Sequence, residues 1–119
     1  MIRIMTNMEM FNAIQCISEA NETGKLGYAL ARNLRKLTNE CKDFLDWRDK
    51  LLIKYGEHTG EGHYQIPPEK QEDFRSELKE LEGISHDVDI YQIPESLFTS
   101  GHLTTKQMYA LDWMVKEEE

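Results

Sequence analysis

Residues 30–55, LARNLRKLTNECKDFLDWRDKLLIKY, decide the fold. Leu30, Leu34, Leu37, Cys41, Phe44, Arg48, Leu51 and Tyr55 follow one another at alternating steps of four and three, the spacing that holds one seam of a helix against a neighbour. The helix is expected from Lys25 to Tyr55, roughly 45 Å at about 1.5 Å per residue. Arg48 is the single polar interruption, and because a guanidinium in a sealed seam needs a carboxylate, it is expected near an Asp or Glu of another element or at the rim of an interface. Leu45, Trp47, Leu52 and Ile53 widen the apolar surface near the carboxyl end, which predicts cover from more than one side.

Upstream, MIRIM (residues 1–5) alternates Ile2 and Ile4 against Arg3, the pattern of a short edge strand that buries one side. Thr6 with Glu9 forms a capping-box pattern, and Met10, Ala13, Ile14 and Ile17 continue at helical spacing, so a first helix is expected over Asn7 to Ala20. About 14 residues span only roughly 21 Å, less than half of the long helix, against which this helix should pack antiparallel. Other elements, a partner protein or a second subunit in a homodimer must then cover the remaining seam.

Downstream, Gly56 is a helix-terminating residue, and the all-polar run GEHTGEG (residues 56–62) predicts an exposed, mobile loop. Tyr64 and Ile66 alternate briefly before Pro67 and Pro68, from which a helix carrying Phe74, Leu78 and Leu81 should run to Gly83. Asp87 to Ile93 is the strongest strand candidate, closed by Pro94. Thr104 and Gln107 repeat the capping-box pattern and open a last helix with Met108, Leu111 and Val115. The three glutamates at 117–119 beside helix carbonyls predict a frayed end. The class is α+β, predominantly helical: a long central helix, three further helices and a small sheet of two or three short strands, in a single domain over residues 1–119.

Composition limits the functions. The charge of −8, from 22 acidic and 14 basic residues, disfavours nucleic acid or an anionic membrane as principal partner. Arg32, Arg35 and Lys36 form the one basic cluster, read as a solvated helix face. No window carries the run of apolar residues that a membrane span needs. The opening residues do not form a signal peptide, and Cys16 and Cys41 fall on apolar helical stripes as buried thiols, which fits a reduced cytoplasm. Neither cysteine has a histidine on its own helix to activate it. Phosphate-loop, dinucleotide and nucleophile-elbow signatures are absent from the sequence.

Two constellations remain. Glu57, His58, Glu61 and His63 offer metal-ligand chemistry, with His86 and Asp87 as further members across neighbouring strands, though the glycine-rich loop provides neither helical ligand spacing nor a rigid frame. Tyr109 and Trp113 lie four apart on the last helix, off the Met108, Leu111 and Val115 stripe, and are candidates for a partner-facing patch.

The run RDKLLIKYGEHTGEGHYQIPPE (residues 48–69), followed by FRSELKELEGISHDVDIYQI (residues 74–93), resembles small proteins of unknown function encoded by phages and prophages of Gram-positive bacteria. Those share a long charged helix, a Tyr-Gly stop, a glycine-bearing loop, a Phe-and-Leu helix and a late strand. The resemblance covers residues 30–93 and is one of residue class; it carries over no catalytic residue and no cofactor. It implies a cytoplasmic accessory or assembly protein in a bacterial host. The expectation is a non-enzymatic protein acting through a phage or host protein partner. A small metal-dependent enzyme using His58, Glu61 and His63 is the alternative, and a purely structural virion component is the third.

Overall fold

The structure, a computed structural model, describes residues 1–116; the fraying expected at Glu117–Glu119 falls outside them. Strand β1 (Ile2–Thr6) leads directly into α1 (Asn7–Glu19), and α2 (Gly24–Tyr55) follows. Next come β2 (Glu57–Gly60), β3 (His63–Gln65), a 3-10 turn (Pro68–Lys70) and α3 (Gln71–Glu82). The chain ends with β4 (Ser85–Asp89), α4 (Glu95–Phe98), α5 (Thr105–Ala110) and a second 3-10 turn (Asp112–Met114). The fold is α+β and predominantly helical, as the sequence predicts.

The long helix organises everything else. Its 32 residues lie within a molecule 52 Å long, and Leu30, Leu37, Cys41, Phe44 and Leu51 of its seam are buried. Helix α1 starts beside the second half of α2, where the Asn7 carbonyl lies 3.8 Å from the Cys41 sulfur and Phe11 meets Phe44 edge to face at 6.4 Å. It then returns to the start of α2 through four residues, so the two helices are antiparallel. The far end of α2 is covered by α3: Tyr55 meets Phe74 edge to face at 6.3 Å. There the Tyr55 hydroxyl and the Lys54 ammonium both donate to Glu77 Oε1, at 2.8 and 3.0 Å. Along these stretches the seam is covered by α1 and α3 of its own chain.

Arg48 finds no carboxylate among the described residues. Its guanidinium lies 4.6 Å from the centre of the Phe11 ring and its Nε has no hydrogen-bond partner. A ring face attracts a cation, and Arg48 sits at the half-buried margin of the helix pair, so no ion pair is required.

The expected single small sheet is instead two separate antiparallel pairs. In one, β1 pairs with β4 in the register Ile2↔Asp89 to Thr6↔Ser85. Its inner face carries Met5 and Val88, at 2% and 1% exposure. Ile2 and Ile4 face outward, the reverse of the sequence expectation. The inversion follows from what succeeds the strand. Thr6 caps α1, exchanging hydrogen bonds of 3.1 Å with Glu9 in both directions. Asn7 is buried and donates from Nδ2 to the Leu81 carbonyl at 2.7 Å. With Asn7 held inward at the junction, the period of two puts Met5 inside and the isoleucines outside.

The second pair is a hairpin, β2 with β3, where a loop is expected. Thr59 and Tyr64 suit strands, and Gly62 at φ +68° supplies the left-handed residue that a tight turn needs. The β4 ladder ends at Asp89, short of the expected Ile93. Met1 already lies opposite Ile90, so β1 offers nothing to pair with Tyr91, and α2 satisfies that backbone instead: the buried Asn33 donates from Nδ2 to the Tyr91 carbonyl at 2.9 Å and accepts at Oδ1 from the Tyr91 N–H at 2.8 Å. Pro94 does end the segment, and the short α4 after it has no counterpart among the expected helices. Thr104 and Gln107 form their capping box, but α5 has only six residues.

Candidate interaction edge

The sequence's candidates for chemistry are dispersed. His58 lies opposite Tyr64 in the hairpin, with ring centres 5.3 Å apart. His63 is opposite Gly60 and next to Tyr64 in the chain, so it projects from the other face, while Glu61 occupies the turn. His86 and Asp87 belong to the other sheet. Among the described residues no group of three or more His, Cys, Asp and Glu side chains is placed to hold a metal ion. The members of the metal-enzyme alternative therefore do not converge.

The two thiols differ in position. Cys41 is fully buried, and burial pushes its thiol above the usual value although the Arg48 charge opposes the shift. It stays protonated at neutral pH and is no nucleophile. Cys16 is half-buried, more open than its apolar stripe predicts. His86 serves structure: its Nε2 lies 2.9 Å from Asn7 Oδ1 and its Nδ1 is 3.9 Å from Glu40. Because Asn7 spends its amide hydrogens on Leu81, its oxygen must accept, which puts the proton on Nε2.

Two of the three members of the Arg32, Arg35 and Lys36 cluster on α2 are used within the fold and are not a solvated face. Arg32 lies over the Tyr91 ring at 4.8 Å and donates to the Tyr28 hydroxyl at 3.2 Å. Lys36 donates to the Asp89 carbonyl at 2.8 Å. Both hold the end of β4 against α2.

Tyr109 and Trp113 do not form one patch. Tyr109 is 85% exposed, whereas Trp113 is 8% exposed and donates from Nε1 to the Ala110 carbonyl at 3.0 Å. A four-residue step keeps two side chains on one face only while the helix continues. Helix α5 ends at Ala110, and the 3-10 turn at 112–114 swings Trp113 into the core.

What the fold does expose is the outer side of β1. Ile2 and Ile4 are 59% and 68% open, beside Asp89 and Asp87 across the sheet. The hydrogen bonds at the two ends of the ladder fix which groups face β4. The Ile90 N–H donates to the Met1 carbonyl, and the Asn7 N–H donates to the Ile84 carbonyl, each at 2.9 Å. Residues 1, 3, 5 and 7 are therefore the hydrogen-bonded positions, and the N–H and C=O groups of Ile2 and Ile4 point away from β4. Among the described residues nothing pairs with them.

Concave ground borders this edge. A cavity of about 410 Å³ is lined by Arg3 and Met5 of β1, Glu9 and Ala13 of α1, and Tyr109 and Trp113. A neighbouring cavity of about 870 Å³ shares Arg3, Asp112 and Trp113 and adds Glu95, Phe98 and Lys116. A free strand edge with an apolar outer face and pockets on its other face is a surface for accepting another strand. No helix among the described residues is long and apolar enough to cross a membrane. Compared with protein-family models, curated proteins and solved structures, the chain matches none of them.

Proposed function

We propose that this chain is a non-enzymatic interaction protein, an accessory or assembly factor of a phage or prophage, that engages a protein partner along β1. One observation carries the reading: Ile2 and Ile4 stand open to solvent on a strand whose main-chain groups on the same edge have no partner among the described residues. Proteins normally blunt such an edge with proline, lysine or a bulge, or cover it, because it invites pairing with another chain. Here Arg3 alone breaks the apolar run. The phage assignment rests on the class resemblance over residues 30–93, and a reduced cytoplasmic setting agrees with two free thiols. Dispersal of His58, Glu61 and His63 gives the metal-enzyme alternative no support.

The test is site-specific crosslinking in the producing cell. A photoreactive residue at position 4 should yield a discrete adduct with a second protein, and the same residue at position 59, on the polar hairpin, should not. Adducts from position 59 alone, or from neither position, overturn the reading. Neighbouring genes for tail, lysogeny or replication proteins would support the phage role, and an operon of unrelated metabolic enzymes would contradict it.

A further inference from the structure

Resting on that reading, we infer that the occupant of the β1 edge is an extended segment in which apolar residues alternate with lysine or arginine, added as a third strand beside β1. Three features specify this occupant. The hydrogen-bond phase of the β1–β4 ladder leaves two donors and two acceptors, from Ile2 and Ile4, spaced to pair with a strand and with nothing helical. In an added strand, successive side chains fall on opposite faces of the sheet. One set lies level with Ile2 and Ile4 and is apolar, because those side chains gain only from apolar neighbours.

The other set falls on the Arg3 and Met5 face, where the bordering cavities present Glu9, Glu95 and Asp112 against Arg3 and Lys116. Among the described residues none of these five makes an ion pair, and the chain as a whole carries −8. Lysine or arginine in the second set meets that excess of acid with its charge and lays its stem along Met5 and Trp113. Charge also argues against a second copy of β1 as occupant. The two-fold pairing centred on residue 3 puts Arg3 directly opposite Arg3 of the other copy. The register centred on Ile4 needs the Thr6 N–H, which the α1 capping box already uses.

The probe is an acetylated, amidated seven-residue peptide of alternating valine and lysine, titrated to millimolar concentration and followed through backbone amide resonances of the intact chain. The amides of Ile2 and Ile4 should shift, and those of the β2–β3 hairpin should not. Replacing lysine by glutamate, or methylating alternate backbone nitrogens of the peptide, should each weaken binding by about tenfold or more. Ile4→Lys should weaken it as much while core resonances stay in place; Ile2→Thr is a second variant should Ile4→Lys perturb the fold. Equal binding of the N-methylated peptide overturns strand addition, and equal binding of the glutamate peptide overturns the basic partner. Shifts of the Ile2 and Ile4 amides on raising protein concentration alone, with a dimer in sedimentation, identify a second copy and overturn the inference. Failure of the peptide with successful crosslinking from position 4 refutes only this partner chemistry. Failure of both refutes the interaction edge itself.

Discussion

The two small sheets of this chain solve the same problem in opposite ways. Each is a pair of antiparallel strands, and a pair has two free edges. The β2–β3 hairpin buries no residue, carries Glu57, His58, Thr59, His63 and Gln65 on its strands, and slips register between His58 and Gly60. Polar side chains and a local irregularity make its edges harmless in water. The β1–β4 pair buries Met5 and Val88, has its β4 end tied to α2 by Lys36 and Asn33, and leaves the outer edge of β1 regular, apolar and, among the described residues, unpaired. One sheet is finished as it stands. The other has an inner face that belongs to the core and an outer edge that is incomplete, and this asymmetry is the basis for placing function on β1.

The largest effect should come from attacking the inner face. Val88→Asp buries a charge at a site 1% exposed and, although the exposed Arg3 lies opposite it on β1, should cost about 3 kcal/mol or more, seen in chemical denaturation. His58→Ala, on the hairpin, should stay within about 0.5 kcal/mol, since it removes one ring contact from an exposed strand. Equal losses at the two sites would break the contrast.

Next is the latch just beyond β4. Asn33→Ala leaves the Tyr91 N–H and C=O without partners and should cost about 2–3 kcal/mol, with faster amide exchange at Tyr91 in the native state. A loss as small as that of His58→Ala would mean that the Asn33 clasp does not anchor the sheet.

Ile4→Lys should change stability by no more than about 0.5 kcal/mol, because the side chain is 68% open in the folded chain, while it abolishes pairing at the edge. A large destabilisation would show Ile4 to be core, and would return β1 to the facing that its sequence suggests.

The smallest effect is electrostatic and lies where the end of α2 meets α3, beside the hairpin. Hydrogen bonds from Lys54, then from the Tyr55 hydroxyl, hold the Glu77 carboxyl below the usual glutamate range. A depressed acid stabilises the fold at pH above its unfolded value, and that contribution disappears as pH falls through the lower folded value. Thermal melts of the native chain should therefore lose a small increment on the acid side of the glutamate range that Glu77→Gln lacks. The exposure of Lys54 and Glu77 keeps it small.

The parts of this architecture that are local were legible in the sequence. The four-and-three spacing of α2, both capping boxes and the stops at Gly56 and Gly83 depend on residues within one or two turns of each other, and the structure places them as expected. Several of the misreadings concern which way a side chain faces once distant elements meet. Alternation showed that MIRIM has two faces without showing which is inside, since that is set by Asn7 anchoring to Leu81, far along the chain. The burial of Trp113 depended on α5 ending at Ala110, and helical spacing assumes a helix that continues. Of the two places expected for Arg48, beside a carboxylate or at a rim, it takes a half-buried margin, where the Phe11 ring, four residues into α1, meets its charge. The hairpin was hidden by its polarity, though a Glu-Gly turn between Thr59 and Tyr64 was the signal available. The edge itself was visible only after the ladder phase was known: no property of Ile2 or Ile4 in the sequence states that their main-chain groups point outward.

Backbone hydrogen exchange at β1, measured on dilute chain with and without the valine–lysine peptide, tests the central claim most directly. The account predicts slow exchange at Arg3 and Met5, whose amides bond to β4, and fast exchange at Ile2 and Ile4, with the latter two becoming protected when the peptide is present. Protection of Ile2 and Ile4 in the dilute chain alone, or unchanged fast exchange at both with peptide at millimolar concentration, would contradict it.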